Sequence, residues 1–239
     1  MKSFEAAITI LESLLSGEAA PAPGGTVPQS TRYRHIDALR RSGLVFRAGP
    51  DRYLPHPSLL ERLEQYDRLA ILSETVRPAM KDLALSLGCT AHFGVLESDM
   101  VTYLVKESAA PASIFTREMQ QLEAYCSAIG KILLAHLGAG EIERYLATGP
   151  FPALTGQTRT DPADIRAALD EVRRDGYAID AAEIDRNLFC LAVPAHDGLG
   201  RLVGAISVSS DLPAFIESDR QDGLSKLRRC AGRIAGLLT

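Results

Sequence analysis

Hydrophobic residues recur every three or four positions along much of the chain, and every second position in parts of its second half. Near the start, Phe4, Ile8, Leu11 and Leu15 fall on one face of a helix. The stretch EAAPAPGGTV follows, and its two prolines and two glycines predict a loop. The chain therefore opens with an amphipathic helix and a segment that does not continue it.

A second helix is predicted to begin at Pro28, which suits a first helical position, and to end near Gly43. The runs LVFR and RYLP then flank the turn AGPD, which predicts a small hairpin. A helix, a loop, a basic helix and a hairpin make the outline of a winged helix-turn-helix. In that arrangement the second helix lies in the DNA major groove and the hairpin lies beside the sugar-phosphate backbone of the DNA.

The remaining pattern predicts a linker and a larger mixed domain. Residues 57–73 have helical spacing and are expected to form a linker helix, with a further helix over 74–87. Beyond it, β-rich runs such as CTAHFGVL and MVTYLVK alternate with helical segments. We therefore predict an α+β chain: a winged helix-turn-helix over 1–56, a linker helix over 57–73 and an α/β domain over 74–239.

Composition narrows the class of protein. The chain has 239 residues, 46% hydrophobic, and no apolar run long enough for a membrane helix, so a cytoplasmic protein without a membrane partner is expected. The four cysteines are far apart and the five histidines are dispersed, so no metal and no cofactor is predicted. The net charge of −4 divides into +4 over residues 24–55 and −8 elsewhere, which favours a nucleic-acid contact at one end.

The basic helix and hairpin supply the candidate DNA contacts. Arginine reads guanine edges in the major groove or neutralises phosphate, and the sequence leaves open which each residue does. The candidates on the helix are Gln29, Ser30, Thr31, Arg32, Tyr33 and Arg34, and those on the wing are Arg47 and Arg52.

Strand parity gives candidates for a ligand site. In LFCLAVPAH, Leu188 and Cys190 point to one side, and in GAISVSS, Ser207 and Ser209 point together. A face with hydroxyls among small residues leaves room for a ligand and offers hydrogen bonds to it. The alternative is a polar strand face in contact with solvent.

Two further features have a ligand interpretation and a structural one. The stretch CSAIGK begins a helix. In the ligand interpretation, the exposed N–H groups of its first turn bind a carboxylate; in the structural one, Gly130 permits close packing against a neighbouring strand. Asp180 follows a short strand and either accepts a hydrogen bond from a ligand or is a solvated turn acid. No nucleophile motif, phosphate loop or dinucleotide fingerprint is present, so an enzyme is not expected.

The chain resembles an IclR-type bacterial transcriptional regulator over nearly its whole length. SFEAAITILESLL resembles the family's opening helix, and PQSTRYRHIDALRRSGLVFR with DRYLP resembles its recognition helix and wing. CSAIGKILLAHL and GYAIDAAEIDRNLFCLAVPAHDGLGRLVGAISVSSD resemble its two most specific motifs, in order and at a suitable separation. Two features depart from the family: EAAPAPGGTV replaces a regular supporting helix, and Arg32 and His35 stand where apolar residues are usual.

The resemblance implies a regulator that binds double-stranded operator DNA as a homodimer or homotetramer. It also implies that residues 74–239 form a GAF-like α/β effector domain, which responds to a small-molecule effector, often a small organic or aromatic acid. Carried over by position, the effector site comprises Ala128, Ile129, Asp180, Leu188, Cys190, Ser207 and Ser209. The alternatives are a metabolite sensor of this fold that has lost specific DNA binding and, less in keeping with the sequence, a small-molecule enzyme.

Overall fold

The computed structural model describes residues 2–17, 29–50, 52–109 and 114–239, with the backbone alone for residues 2, 3 and 29. The described chain divides into two compact units, Met1–Arg68 and Leu69–Thr239. The predicted loop EAAPAPGGTV and the predicted helix start at Pro28 lie outside the described residues.

Unit 1 contains two helices, a hairpin and a third helix. These are α1 (Lys2–Leu15), α2 (Gln29–Arg41), β1 (Val45–Gly49), β2 (Arg52–Pro55) and α3 (Pro57–Glu64). The strands pair antiparallel, as the sequence predicts. The unit's buried core consists of Ile10, Leu14, Ile36, Leu39 and Val45.

Of the predicted apolar face of α1, only Leu11 packs against the core of the unit. Ile10 and Leu14 are buried against α2 and the hairpin, whereas Phe4 is 71% exposed and Leu15 is 45% exposed. The helix carries apolar residues on two sides, so periodicity alone could not select the side that packs.

The predicted linker helix over 57–73 is also wrong in its bounds. Residues 65–67 separate α3 from α4 (Arg68–Leu87), and the expected boundary at 73 falls inside α4. Helix α3 buries no residue, whereas α4 buries six, the first of them Leu72. The apolar spacing is continuous across the break, which is why the sequence suggested one longer helix.

Unit 2 is built on one antiparallel sheet. After α4 its elements are β3 (Thr90–Glu97), β4 (Met100–Ser108), β5 (Gln121–Glu123), α5 (Ala128–Ala135), α6 (Ala139–Leu146), α7 (Pro162–Asp175), β6 (Ala178–Ala181), β7 (Phe189–His196), β8 (Leu202–Ser210), α8 (Ala214–Glu217) and α9 (Arg220–Leu237). The sheet order is β5-β4-β3-β8-β7-β6. The predicted α+β class is confirmed.

Alternate residues of the central strands supply two separate apolar cores. On one face, Phe93, Leu191 and Ile206 pack with α4 and α9. On the other face, Cys190, Ala192 and Ala205 lie in the core formed with α5, α6 and α7. The sheet is therefore covered on both sides, and any polar side chain on the second face is enclosed by helices.

The end signals of α7 act as the sequence indicates. The Asp161 side chain accepts a hydrogen bond from the Ala163 N–H at 2.7 Å, and Pro162 occupies the first turn. Gly176 has φ of 72° at the C-terminal end, a left-handed conformation in which glycine carries no steric penalty. This fixes where the chain leaves α7 and enters β6.

Candidate functional site

The strand parity predicted for the effector site is present in the sheet. Cys190 lies opposite Ser209 and Asp180 lies opposite Cys190, so all three side chains share one face. The Cys190 Sγ and Ser209 Oγ atoms are 3.1 Å apart. Ser207 and Ser209 are only 2% and 3% exposed, so the solvent-facing alternative for these hydroxyls is wrong.

Helix α5 lies over this face and starts with a capped turn. The Ser127 hydroxyl accepts a hydrogen bond from the Gly130 N–H at 3.0 Å. The N–H groups of Ala128 and Ile129 belong to the first turn, where a helix offers no internal acceptor. Both residues are buried in the same cluster as Leu188 and Cys190, which brings the carried-over residues to one region.

Gly130 has the structural role that the sequence left open. A Cβ at this position would lie 2.2 Å from the Ala124 carbonyl oxygen, so only glycine allows this approach. The close packing brings the first turn of α5 against the segment that follows β5. The glycine therefore positions the first turn without itself offering a side chain to a ligand.

Asp180 is not a solvated turn acid. It lies in β6, is 1% exposed, and its Oδ1 accepts a hydrogen bond from the Glu183 N–H at 2.8 Å. Its Oδ2 has no hydrogen-bond partner among the described residues. Burial raises the pKa of Asp180 to about 7, although the nearby Lys131 ammonium opposes that shift.

A buried ion pair, which the sequence analysis missed, lies next to Asp180. Lys131 Nζ is 2.5 Å from Glu183 Oε1 and also donates to the Ile179 carbonyl, and both side chains of the pair are under 10% exposed. The pair also lines a cavity of about 280 Å³ between α7 and β6 that none of the seven predicted effector residues lines. The available signal was the lone charge in the apolar helix AIGKILLA.

Strand β3 adds a second missed group to the same sheet face. His92 is 1% exposed and lies directly opposite Ser207. Its Nε2 is 2.8 Å from the Thr116 Oγ1, and its ring meets Tyr103 edge-on at 5.1 Å between centroids. Burial lowers the pKa of His92 to about 3, so the imidazole is neutral at physiological pH. Only the strand register reveals that His92 faces Ser207.

The candidate DNA contacts are distributed over two sides of α2. His35, Ile36 and Leu39 are buried, and Arg32 is half-buried on that side of the helix. Ser30, Tyr33 and Arg34 are exposed, and Thr31 is half-buried. Gln29 has no described side chain. Ser30, Tyr33 and Arg34 are thus the candidate contacts on α2 whose side chains are exposed.

Both wing arginines, Arg47 in β1 and Arg52 at the start of β2, are exposed. Arg47 Nε donates to the Gly49 carbonyl at 3.1 Å, which holds it beside the turn. Within the described residues, neither Arg47 nor Arg52 forms a salt bridge, and the same holds for Arg34. No carboxylate of the described residues therefore neutralises these three charges.

Over residues 2–17, 29–50, 52–109 and 114–239, no three His, Cys, Asp or Glu side chains are grouped closely enough to hold a metal ion. None of the helices described there has the length and apolarity required to cross a membrane.

With this geometry established, comparison with known proteins identifies the family. The family described as "Bacterial transcriptional regulator IclR C-terminal" matches residues 65–235. The chain belongs to the IclR family. The Escherichia coli HTH-type transcriptional regulator KdgR is 29% identical over 213 residues, which cover 87% of this chain and 80% of KdgR.

Solved structures of IclR proteins have the same fold. The C-terminal domain of E. coli KdgR matches 70% of this chain and 98% of its own, at 28% identity and a TM-score of 0.62. An IclR homologue from Microbacterium hydrocarbonoxydans, complexed with 4-hydroxybenzoate, matches 99% of this chain and 98% of its own, at 23% identity and a TM-score of 0.66. This IclR-family chain is accordingly a transcriptional regulator, and its relatives are named as regulators and not as enzymes.

Proposed function

We propose that this regulator binds operator DNA through unit 1 and a small organic acid in unit 2, and that the acid changes its affinity for DNA. The observation that carries the proposal is the enclosed polar face of the sheet, where α5 packs on the strands that carry two buried serine hydroxyls. A buried polar surface of this kind is suited to a polar ligand, because buried hydrogen-bonding groups require partners.

The ligand class follows from the chemistry of the groups. The N–H groups of Ala128 and Ile129 and the positive end of the helix dipole favour an anion, and the hydroxyls of Ser207 and Ser209 add donors. Asp180, with its raised pKa, donates a hydrogen bond when protonated and so does not repel a carboxylate. Binding of 4-hydroxybenzoate by an IclR homologue of the same fold is consistent with an acid.

The DNA contacts are proposed from exposure and charge. Arg34, Tyr33 and Ser30 would face the major groove, with Thr31, Arg32 and Gln29 at its margins, and Arg47 and Arg52 would contact phosphate beside it. The acid regulates only if it binds the DNA-competent and DNA-incompetent arrangements of the protein unequally.

Self-association and location are part of the same proposal. Phe4, Ile8 and Leu15 leave an apolar stripe exposed on α1, which favours a homodimer or homotetramer on the operator, in the cytoplasm where the DNA is. Light scattering of the wild-type chain and of a Phe4→Ser variant measures this, and a monomeric wild-type chain would contradict it.

The acid site is tested by calorimetric titration of the full chain with a panel of small organic acids. Ser207→Ala is expected to weaken binding of any hit about fivefold or more, the loss of about 1 kcal/mol from one hydrogen bond. Ser210→Ala, which changes a serine on the other face of the same strand, is the matched control. Equal affinities for wild type and Ser207→Ala would remove this hydroxyl from the site.

The DNA half is tested by a gel shift with DNA from upstream of the chain's own gene, with and without the acid identified above. A retarded complex whose affinity changes with the acid is the expected result. Binding of the acid without any specific DNA complex would instead support the second candidate, a sensor of this fold without DNA binding. The departures around EAAPAPGGTV and His35 are the features that favour that candidate.

A further inference from the structure

Two buried polar atoms on the sheet face beneath α5 have no hydrogen-bond partner among the described residues. One is Oδ2 of Asp180 and the other is Nδ1 of His92. Both side chains are about 1% exposed, so water in bulk does not satisfy them. Buried polar groups in folded proteins are nearly always paired, and exceptions often mark a ligand site.

The two atoms belong to opposite sides of one strip of small residues. His92 is on β3 and Asp180 is on β6, three strand spacings apart in the order β3-β8-β7-β6, or about 14 Å along the sheet. The strip between them on β8 and β7 carries only small side chains: Ala192, Ala205, Cys190, Ser207 and Ser209. No large side chain of β7 or β8 therefore stands between the two unsatisfied polar groups on this face.

The surroundings of His92 determine which groups can form a hydrogen bond with its unpaired Nδ1 atom. Nε2 is occupied by the Thr116 hydroxyl, and Lys106 Nζ holds that segment by donating to the carbonyls of Ile114 and Thr116 at 2.7 and 2.6 Å. If Nε2 donates to Thr116, Nδ1 is an acceptor; if Nε2 accepts, Nδ1 carries the proton and donates. A hydroxyl group satisfies Nδ1 in either tautomer because it both donates and accepts.

The charge state of His92 argues against a second carboxylate at this end. Its buried imidazole stays neutral, since its pKa is about 3 and the Lys106 ammonium nearby opposes protonation further. A neutral ring offers a carboxylate no ion pair to offset its desolvation, and the Lys106 ammonium already donates to the carbonyls of Ile114 and Thr116. A neutral hydroxyl avoids that cost.

We propose that His92 forms a second polar subsite that recognises the hydroxyl group of a hydroxy acid whose carboxylate is bound at the first turn of α5. The inference rests on the proposed function, because it requires an acid in this site. It assigns the ligand class more narrowly: a small hydroxy acid, with the hydroxyl remote from the carboxylate and an apolar spacer over the small residues of β7 and β8.

The test is calorimetric titration of the full chain with matched acid pairs that differ by one hydroxyl: benzoate with 4-hydroxybenzoate, and hexanoate with 6-hydroxyhexanoate. Wild type is expected to bind the hydroxylated member of at least one pair about tenfold more tightly, the value of one good hydrogen bond. In His92→Phe the ratio falls to about one. Thr116→Val is the matched control: it removes only the partner of Nε2, so the preference remains.

A measurement on the unaltered protein covers the case in which His92→Phe fails to fold. The ¹⁵N resonance of His92 Nδ1 is expected to shift when the preferred hydroxy acid is added and to stay in place with its deoxy partner. Equal affinities within every pair, or an Nδ1 chemical shift that is the same with the hydroxy acid as with its deoxy partner, would overturn the subsite while leaving acid binding intact. If none of the four acids binds, the proposed acid-binding function fails and the subsite fails with it.

Discussion

Removing the charge of Lys131 is the sharpest perturbation that the structure offers. Its ammonium forms a 2.5 Å ion pair with Glu183 and donates to the Ile179 carbonyl, and the two paired side chains are 5% and 7% exposed. Lys131→Met keeps a long flexible apolar side chain in place but leaves the Glu183 carboxylate buried without its cation. The variant therefore isolates the electrostatic contribution of the pair.

The expected cost follows from burial. Breaking a buried pair by removing one partner typically costs about 3–5 kcal/mol, because the remaining charge keeps its desolvation penalty. For a unit of this size, that loss lowers the melting temperature by about 6–20 °C. Replacing both partners, as in Lys131→Met with Glu183→Leu, should recover most of the loss, since no uncompensated charge remains.

Urea unfolding followed by circular dichroism measures these free energies, with Lys226→Met as the matched control. Lys226 forms an ion pair of similar length, 2.7 Å, with Asp222 on the surface, where Asp222 is 62% exposed. The same substitution there should cost less than about 1 kcal/mol. If Lys131→Met costs no more than Lys226→Met, or if the double variant is less stable than the single one, the buried-pair reasoning is wrong.

Three further predictions concern Arg34, Gly130 and Asp180. Arg34→Ala should weaken operator binding by about 1–3 kcal/mol if Arg34 contacts a base. If it contacts a phosphate, the slope of the logarithm of the binding constant against the logarithm of the salt concentration should fall by about one, as measured in gel shifts at several salt concentrations. Gly130→Ala should destabilise unit 2 by several kcal/mol, in the same unfolding assay, because its Cβ would lie 2.2 Å from the Ala124 carbonyl oxygen. Asp180 has a pKa of about 7 in the folded chain and about 4 in the unfolded chain, so the free energy of unfolding should fall as the pH rises from about 4 to about 7. Asp180→Asn should flatten this dependence of the unfolding free energy on pH, measured from pH 5 to 8.

Each of these has a result that would contradict it. For Arg34, the proposed role in DNA binding is wrong if Arg34→Ala lowers the affinity for the acid as much as the affinity for DNA. Gly140→Ala is the control for Gly130, since a Cβ there meets nothing within 4 Å, and equal stability of the two alanine variants would refute the packing argument. For Asp180, a wild-type stability that rises from pH 5 to 8 relative to Asp180→Asn would mean that its carboxylate is stabilised rather than desolvated.

The features that the sequence alone predicted well are those that depend on residues close together in the chain. The Asp161, Pro162 and Gly176 signals fixed the ends of α7, because caps and left-handed glycines act within a few residues. Strand alternation placed Cys190 on one face and Ser207 and Ser209 together on one face, since the side-chain period of two is a property of the backbone. The family followed from motifs of the same local kind.

Packing decided the rest. Helix α1 is apolar on two sides, and only its contact with α2 and the hairpin shows that Ile10 and Leu14 are buried while Phe4 is exposed. The break between α3 and α4 lies within a continuous helical pattern, and only the structure shows that α4 buries six residues while α3 buries none. The partners of Lys131 and His92 are 52 and 24 residues away along the chain, so no local pattern records them. The sequence by itself determined the elements and the faces of the strands; the tertiary structure decided which face is enclosed, because burial depends on contacts between residues that are distant in the chain.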